Sequence, residues 1–200
     1  TSIVINIEPT VFAFSNSAKP EITKVLSHPF VIWTSLEAFS ILSTDEKKLI
    51  KEFVFYGGTL FFDNTHEDEK IFSQALSSFL NDIVPEQNLF SLPKEHVFFK
   101  SFYLIGELGG SITLKWGRFD FSRHLLAIDT GGKIGIFYSR NDLTGALTFT
   151  KDGNPVFLEQ SDYQKIETSY RYFTNLIMYS LCLDYKDDQV HIPFILKRRR

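Results

Sequence analysis

The sequence has little sulfur, little net charge and no long apolar run, and each shortage excludes a class of protein. Its 200 residues include a single cysteine and a single methionine. An intrachain disulfide and a zinc site built from several thiolates are therefore excluded. The formal net charge of -3 provides no overall positive field of the kind that nonspecific nucleic-acid binding needs. No apolar segment approaches the roughly 20 residues that cross a bilayer. We therefore expect neither a nucleic-acid partner nor a membrane span in this chain.

The composition instead favours a folded domain with an aromatic core. Hydrophobic residues make up 44% of the chain, and its 21 phenylalanines are the largest group of aromatic residues. A chain of this length buries roughly 70% of its unfolded surface, which is enough for a single core. No repeat, low-complexity segment or linker divides the sequence. We predict one α/β domain over residues 1–200.

The segment from Phe53 to His66 is typical of one helix-to-strand unit of an α/β sheet. A helical pattern stops at Gly57 and Gly58, and the apolar run Thr59 to Phe62 follows. Glycine beyond the last helical turn adopts the left-handed conformation without a Cβ clash. A short run that is apolar on both faces is typical of a strand covered by helices on both sides. Ligands gather where such strands end.

Further elements are predicted by the same local patterns. Helices are indicated at Pro20–Leu26, from Ser43-Thr44-Asp45-Glu46 onward, at Ile71–Leu80, and from the Ser161-Asp162 cap to Leu181. Strands are indicated twice within Ile3–Phe14, as a core strand at Phe30–Trp33, and as a hairpin of Leu125–Ile128 with Lys133–Tyr138. Between Asn88 and Phe121, Gly and Pro favour loops and a short hairpin. The predicted class is α/β, with three α/β/α layers, a mostly parallel sheet and a hairpin addition.

Polar side chains follow the strand that ends at Phe62. Asp63, Asn64 and His66 stand there, and carboxylate with imidazole is a pair used for acid/base chemistry or for a divalent cation. The spacing is not diagnostic, however. Asp and Asn before a helix are also its usual caps. Both interpretations, a ligand site and a capping arrangement, are compatible with these residues.

A second polar group follows the strand that ends at Tyr138. Ser139, Arg140, Asn141 and Asp142 form this group, and a turn stabilised by Asn and Asp side chains explains it equally well. If both loops leave the same edge of the sheet, they can line one pocket in which Arg140 would meet an anionic ligand.

Known cofactor motifs are missing from the sequence. It has no Gly-x-Ser-x-Gly elbow, no phosphate-binding loop and no dinucleotide fingerprint. His28, His96, His124 and His191 are scattered without metal-ligand spacing. We predict no cofactor and no metal site, and interpret these histidines as structural or surface residues.

The order of several segments resembles an uncharacterised bacterial family of domains of unknown function. The resemblance covers nearly the whole chain and rests on these pieces: His28 to Trp33, Phe53 to Asp63, His96 to Tyr103, Tyr138 to Leu143, and Tyr185 to Leu196. It implies the class I glutamine amidotransferase fold, which is flavodoxin-like, and an exported or periplasmic, envelope-associated location. It also implies that the family's first strand and helix are missing before Thr1. Ser35-Leu36 stand where many members carry glycine and histidine.

The resemblance further implies which residue occupies the catalytic turn. Amidotransferases place a nucleophilic cysteine on the turn after a central strand, where element order puts Asp63-Asn64 in this chain. Cys182 instead falls near the end of the last predicted helix. We therefore expect a noncatalytic binding or interaction module with a small-molecule or protein partner. The alternatives are a hydrolase that uses Asp63 and His66, with or without the assistance of a metal ion, and a scaffold for protein–protein contact without a small ligand.

Overall fold

The computed structural model describes residues 10–13, 20–34, 36–66, 68–105, 111–114, 117–120, 125–156 and 166–181. The helices are α1 (Ile22–Val25), α2 (Ala38–Ile41), α3 (Thr44–Phe55), α4 (Glu69–Ile83), a 3-10 helix (Val97–Lys100), α5 (Leu143–Ala146) and α6 (166–181). The strands are β1 (Phe30–Trp33), β2 (Thr59–Asp63), β3 (Phe90–Ser91), β4 (Ser111–Leu114), β5 (Gly117–Asp120), β6 (Leu126–Asp129) and β7 (Ile134–Ser139). The α/β class is confirmed. Among the helices described, none is long and apolar enough to span a membrane.

The main sheet is mixed, so the prediction of a mostly parallel sheet was wrong. Its five strands lie in the order β1-β2-β7-β6-β3. Strand β2 pairs in parallel with β1 and β7, whereas β6 pairs antiparallel with both β7 and β3. The predicted hairpin is confirmed as β6 and β7, but it forms part of the sheet and places β7 between β2 and β6. A two-stranded sheet of β4 and β5 is separate.

The turn between β6 and β7 explains why this pair is antiparallel. Both Gly131 and Gly132 have positive φ, at 116° and 98°, which suits glycine. The Asp129 Oδ1 accepts hydrogen bonds from both of their amides, at 2.8 and 2.7 Å. A turn this short reverses the chain at once, while a parallel pair needs a crossover of about a dozen residues or more.

Local sequence fixes the ends of α3 as predicted. Ser43 and Glu46 form a reciprocal capping box at its start, which satisfies free amides of the first turn. Beyond its end, Gly57 has φ 106°. Strand β1 has the predicted bounds, but within the described part of the sheet it lies at one end rather than in the centre.

The strands of the main sheet alternate their side chains between two hydrophobic clusters, and helices contribute residues to both clusters. In β2, Leu60 and Phe62 point to one cluster and Phe61 to the other. The first cluster contains residues of α1 to α4, with stacked rings of Phe39 and Phe79 at 5.0 Å. The second contains residues of the 3-10 helix, α5 and α6. The expected aromatic core is confirmed on both faces.

Some predictions fall on parts of the chain outside the described residues. These are most of the strand pair within Ile3–Phe14, the Ser161-Asp162 cap, and the position of Cys182. The region from Asn88 to Phe121 contains short elements where it is described, as the glycine and proline pattern predicted.

Candidate functional site

The two polar loops leave the same edge of the sheet, because β2 and β7 are parallel and end side by side. Asp63 is paired with Ser139 in the strand register. The Asn64 amide extends the pairing by donating to the Ser139 carbonyl at 3.0 Å. The segments Asp63–His66 and Ser139–Asp142 therefore begin next to one another.

Asp63 is completely buried, and its two carboxyl oxygens hold the start of α5. Its Oδ1 accepts a hydrogen bond from the Leu143 amide at 3.1 Å. Its Oδ2 accepts from the Thr144 amide at 2.7 Å and from the Thr144 hydroxyl at 2.7 Å. Residue 63 has 0% relative exposure. The carboxyl thus joins the end of β2 to the first turn of α5.

Burial dominates the titration of Asp63. It raises the pKa of this carboxyl from 3.8 to about 7, because a charged group loses its hydration in the interior. The hydrogen bonds from Thr144 and Leu143 act in the opposite direction, and the neighbouring Asp142 adds to the increase. At neutral pH this carboxyl is therefore divided between its charged and neutral forms.

Asp142 is the second buried carboxyl at this edge. As the N-cap of α5, it accepts from the Gly145 amide at 2.8 Å. Burial also raises the pKa of Asp142 above its usual range, although the bonds from Gly145 and Thr144 lower it. Both acids of the two predicted loops therefore serve the same short helix.

The other residues of the first loop form a turn that leads into α4. The buried Asn64 Oδ1 accepts from the His66 amide at 3.0 Å. The His66 Nδ1 accepts from the Asp68 amide at 3.0 Å, and Asp68 caps α4 by accepting from the Lys70 amide at 2.9 Å. These bonds agree with the capping interpretation of this loop. They leave the half-buried His66 ring at the edge of the site.

The second loop is also held by its own bonds. The buried Ser139 hydroxyl donates to the Asn141 carbonyl at 2.8 Å and accepts from the Asn141 amide at 3.0 Å. The exposed Arg140 lies 3.5 Å from Glu69 of α4. The guanidinium therefore already has a carboxylate partner, and an anionic ligand would compete with Glu69.

Two residues that the sequence did not indicate help to build this region. Thr144 binds Asp63, and a hydroxyl residue just after an N-cap Asp was an available but weak signal. Tyr138 places its hydroxyl 2.7 Å from Ser73 of α4, and burial raises its pKa. The apolar run of β7 concealed this polar contact.

A third missed residue, Asn175 of α6, binds the loop that follows the 3-10 helix, on the face of the sheet that carries the second hydrophobic cluster. Its side-chain amide donates to the carbonyls of Phe98 and Tyr103, both at 2.8 Å. Its oxygen accepts from the amides of Phe102 and Tyr103 at 3.2 and 2.7 Å. All the ordinary hydrogen-bonding capacity of this buried side chain is used. No local pattern predicts it, because its partners lie more than 70 residues away.

Of the four histidines interpreted as structural or surface residues, His28 and His96 lie in the described part of the chain, and both make local contacts. The His96 Nδ1 accepts from the Phe98 amide at 3.2 Å and starts the 3-10 helix. Burial, and secondarily Lys100, lowers the pKa of His96, which favours the neutral ring that can accept this bond. His28 lies 3.3 Å from the Val25 carbonyl. His124 and His191 fall outside the described residues.

The arrangement gives Asp63 and His66 separate partners. The bonds of Asp63 go to α5, and the His66 ring bonds to the backbone of Asp68. Within the described ranges, no group of three or more His, Cys, Asp and Glu side chains is placed to hold a metal ion. The described side chains of this edge offer hydrogen-bond donors and acceptors, and a buried carboxyl whose pKa is raised by burial.

Comparison with known proteins assigns the family. No curated protein matches the sequence. The family described as Domain of unknown function (DUF4159) matches residues 4–181, which includes every element that forms the main sheet and its helices. The chain therefore belongs to the DUF4159 family.

Proposed function

We propose that this protein is a noncatalytic, amidotransferase-like binding or interaction module of a bacterial envelope-associated or exported protein. The observation that carries the proposal is the burial and bonding of Asp63, the last residue of β2, which together with Asn64 stands where the resemblance to amidotransferases puts the nucleophile. Both of its oxygens accept hydrogen bonds from α5, and the residue has no exposed surface. A group in that position supports the scaffold and has no access to a substrate.

The two hydrophobic clusters support the amidotransferase-like part of the proposal. They lie on opposite faces of one sheet, with α3 and α4 on one side and α6 on the other. This agrees with an α/β/α layering, although β6 runs antiparallel to its neighbours.

The binding surface of this proposal is the edge where β2 and β7 end. Its accessible groups are the half-buried His66 and the exposed Arg140, while Asn64, Ser139, Asn141 and Asp142 lie beneath and shape the loops. An exposed guanidinium and a half-buried imidazole, on two loops that leave the same edge of the sheet, suit a ligand with a carboxylate or phosphate group. Such a ligand would displace Glu69 from Arg140.

The noncatalytic part is tested by assaying the purified protein against amide, ester and glycoside substrates. We expect no turnover above background from the wild type or from Asp63→Ala. Turnover that disappears in Asp63→Ala, while the melting temperature stays within about 2 °C of the wild type, would overturn the proposal.

The binding part is tested by a thermal-shift screen against carboxylate and phosphate metabolites. We expect stabilisation of the wild type that is lost in Arg140→Ala. Arg171→Ala is the matched control, because Arg171 is also an exposed arginine paired with a glutamate, Glu167. Equal loss in both variants would show that the effect does not arise at this edge.

The proposed envelope-associated or exported location is tested by fractionating bacterial cells that express the gene natively. Recovery of the protein in the cytosol alone would contradict this location.

A further inference from the structure

The hydroxyl of Thr144 lies between the two buried carboxyls of this edge. Its Oγ1 is 2.7 Å from Asp63 Oδ2 and 3.4 Å from Asp142 Oδ1. A hydroxyl has one hydrogen to donate. It can therefore donate to one of the two carboxyls at a time, and the other then keeps only its bonds from backbone amides.

The charged groups around this pair leave it uncompensated. Asp142 is the neighbouring charge that acts on Asp63. From the adjacent elements, Arg140 pairs with Glu69 and Arg171 of α6 pairs with Glu167. In the described part of the chain, neither buried carboxyl has a cationic partner. Two carboxylates in one buried site favour retention of a proton by one of them.

We propose that Asp63, Thr144 and Asp142 form a proton-dependent latch that fixes the first turn of α5, and with it the Arg140–Asn141 loop, to the end of β2. When Asp63 Oδ2 carries the proton, it donates to Thr144 Oγ1, whose own hydrogen then turns toward Asp142 Oδ1. When the proton leaves, the hydroxyl turns back to donate to Asp63, and Asp142 faces a second negative charge. The Thr144 amide donates to Asp63 in both states.

The direction of the effect follows from burial. Loss of hydration raises the pKa of Asp63 to about 7, so the neutral form is the one that the folded site favours. The latch is therefore firm below neutral pH and loosens as the pH rises through this value. Because the loop carries Arg140, the latch makes the presentation of this side chain dependent on pH.

The experiment is an NMR titration of the purified chain between about pH 3 and pH 9, following the backbone amides of Leu143, Thr144 and Gly145. We expect all three signals to move with one midpoint close to 7. Asp142→Asn removes the neighbouring charge and should lower this midpoint by about one pH unit. Thr144→Val removes a donor to Asp63 and should raise the midpoint by a similar amount, whereas Thr144→Ser restores the wild-type value.

Thr148→Val is the matched control, because this threonine is exposed and donates to the Thr144 carbonyl at 3.1 Å without contacting either acid. Its midpoint should equal that of the wild type. A wild-type midpoint near 4, or a midpoint that Asp142→Asn and Thr144→Val both leave unchanged, would overturn the proposal. If Thr144→Val does not fold, Asp142→Asn and Thr144→Ser still decide it, since their expected midpoints differ.

Discussion

Replacement of Asn175 should lower the free energy of unfolding more than most single changes on the face of the sheet that α6 covers. In Asn175→Ala, the amides of Phe102 and Tyr103 and the carbonyl of Tyr103 lose their partner. The Phe98 carbonyl keeps the Ser101 hydroxyl at 3.0 Å. Counting only partners among the described residues, three backbone groups are therefore left unpaired. At about 1 to 1.5 kcal/mol for each group that can partly rehydrate, the free energy of unfolding should fall by roughly 3–5 kcal/mol.

Asn175→Asp keeps the shape of the side chain and replaces its two amide hydrogens, which donate hydrogen bonds, with an oxygen that can only accept them. A carboxylate oxygen would face the carbonyls of Phe98 and Tyr103, where the amide now donates. This variant should be at least as unstable as the alanine variant at pH 7.

The assay is urea-induced unfolding, with thermal unfolding as a second measure. For a chain of this size, 3–5 kcal/mol corresponds to a decrease in melting temperature of about 10 °C. Ser169→Ala is the matched control, because Ser169 lies on the same helix and its buried hydroxyl has no hydrogen-bond partner among the described residues. It should change stability by no more than about 0.5 kcal/mol. An Asn175→Ala variant as stable as Ser169→Ala would refute the reasoning.

Three further predictions concern the β2 and β7 region. Asp63 binds its proton more tightly when folded, with a pKa of about 7 against 3.8, so its contribution to stability is complete below pH 4 and disappears as the pH rises through 7. This loss has an upper bound of roughly 4 kcal/mol, of which roughly 3 kcal/mol falls between pH 5 and pH 8; urea unfolding at these two pH values should show that part, and Asp63→Asn should remove it. In Gly58→Ala, the new Cβ would lie 2.3 Å from the Phe53 ring, so displacement of that ring should cost about 1–3 kcal/mol by chemical denaturation. Tyr138→Phe loses the 2.7 Å contact with Ser73 and should cost about 1 kcal/mol, with a double-mutant cycle through Ser73→Ala giving a coupling energy well above zero.

Local features of the fold were predictable because their causes lie within a few residues. The capping box of Ser43 and Glu46 spans one helical turn, and the turn that starts at Asp129 contains both the glycines and the side chain that bonds to them. The order of strands was not predictable in this way. Nothing within the β6–β7 hairpin indicates that β7 pairs with β2 on its other side, since that choice depends on distant residues.

The candidate site shows the same division. Asp63 and Asn141 were expected to lie near each other if their strands left one edge, and the register of β2 with β7 brings these loops together. The role of Asp63 was beyond sequence reasoning, because its partners Leu143 and Thr144 lie 80 and 81 residues further along the chain. Whether these loops bind a ligand stays a prediction.

The central place of β7 has a consequence for how the protein is assembled during synthesis. Of the five strands that the structure describes in the main sheet, β7 is the last to be translated, yet it separates β1 and β2 from β6 and β3. Until the ribosome has released residues up to Ser139, the nascent chain can form two strand pairs that nothing joins. The inner edge of β2 then stays open while more than 70 residues are added, and a chaperone that covers unpaired strand edges would act during that interval.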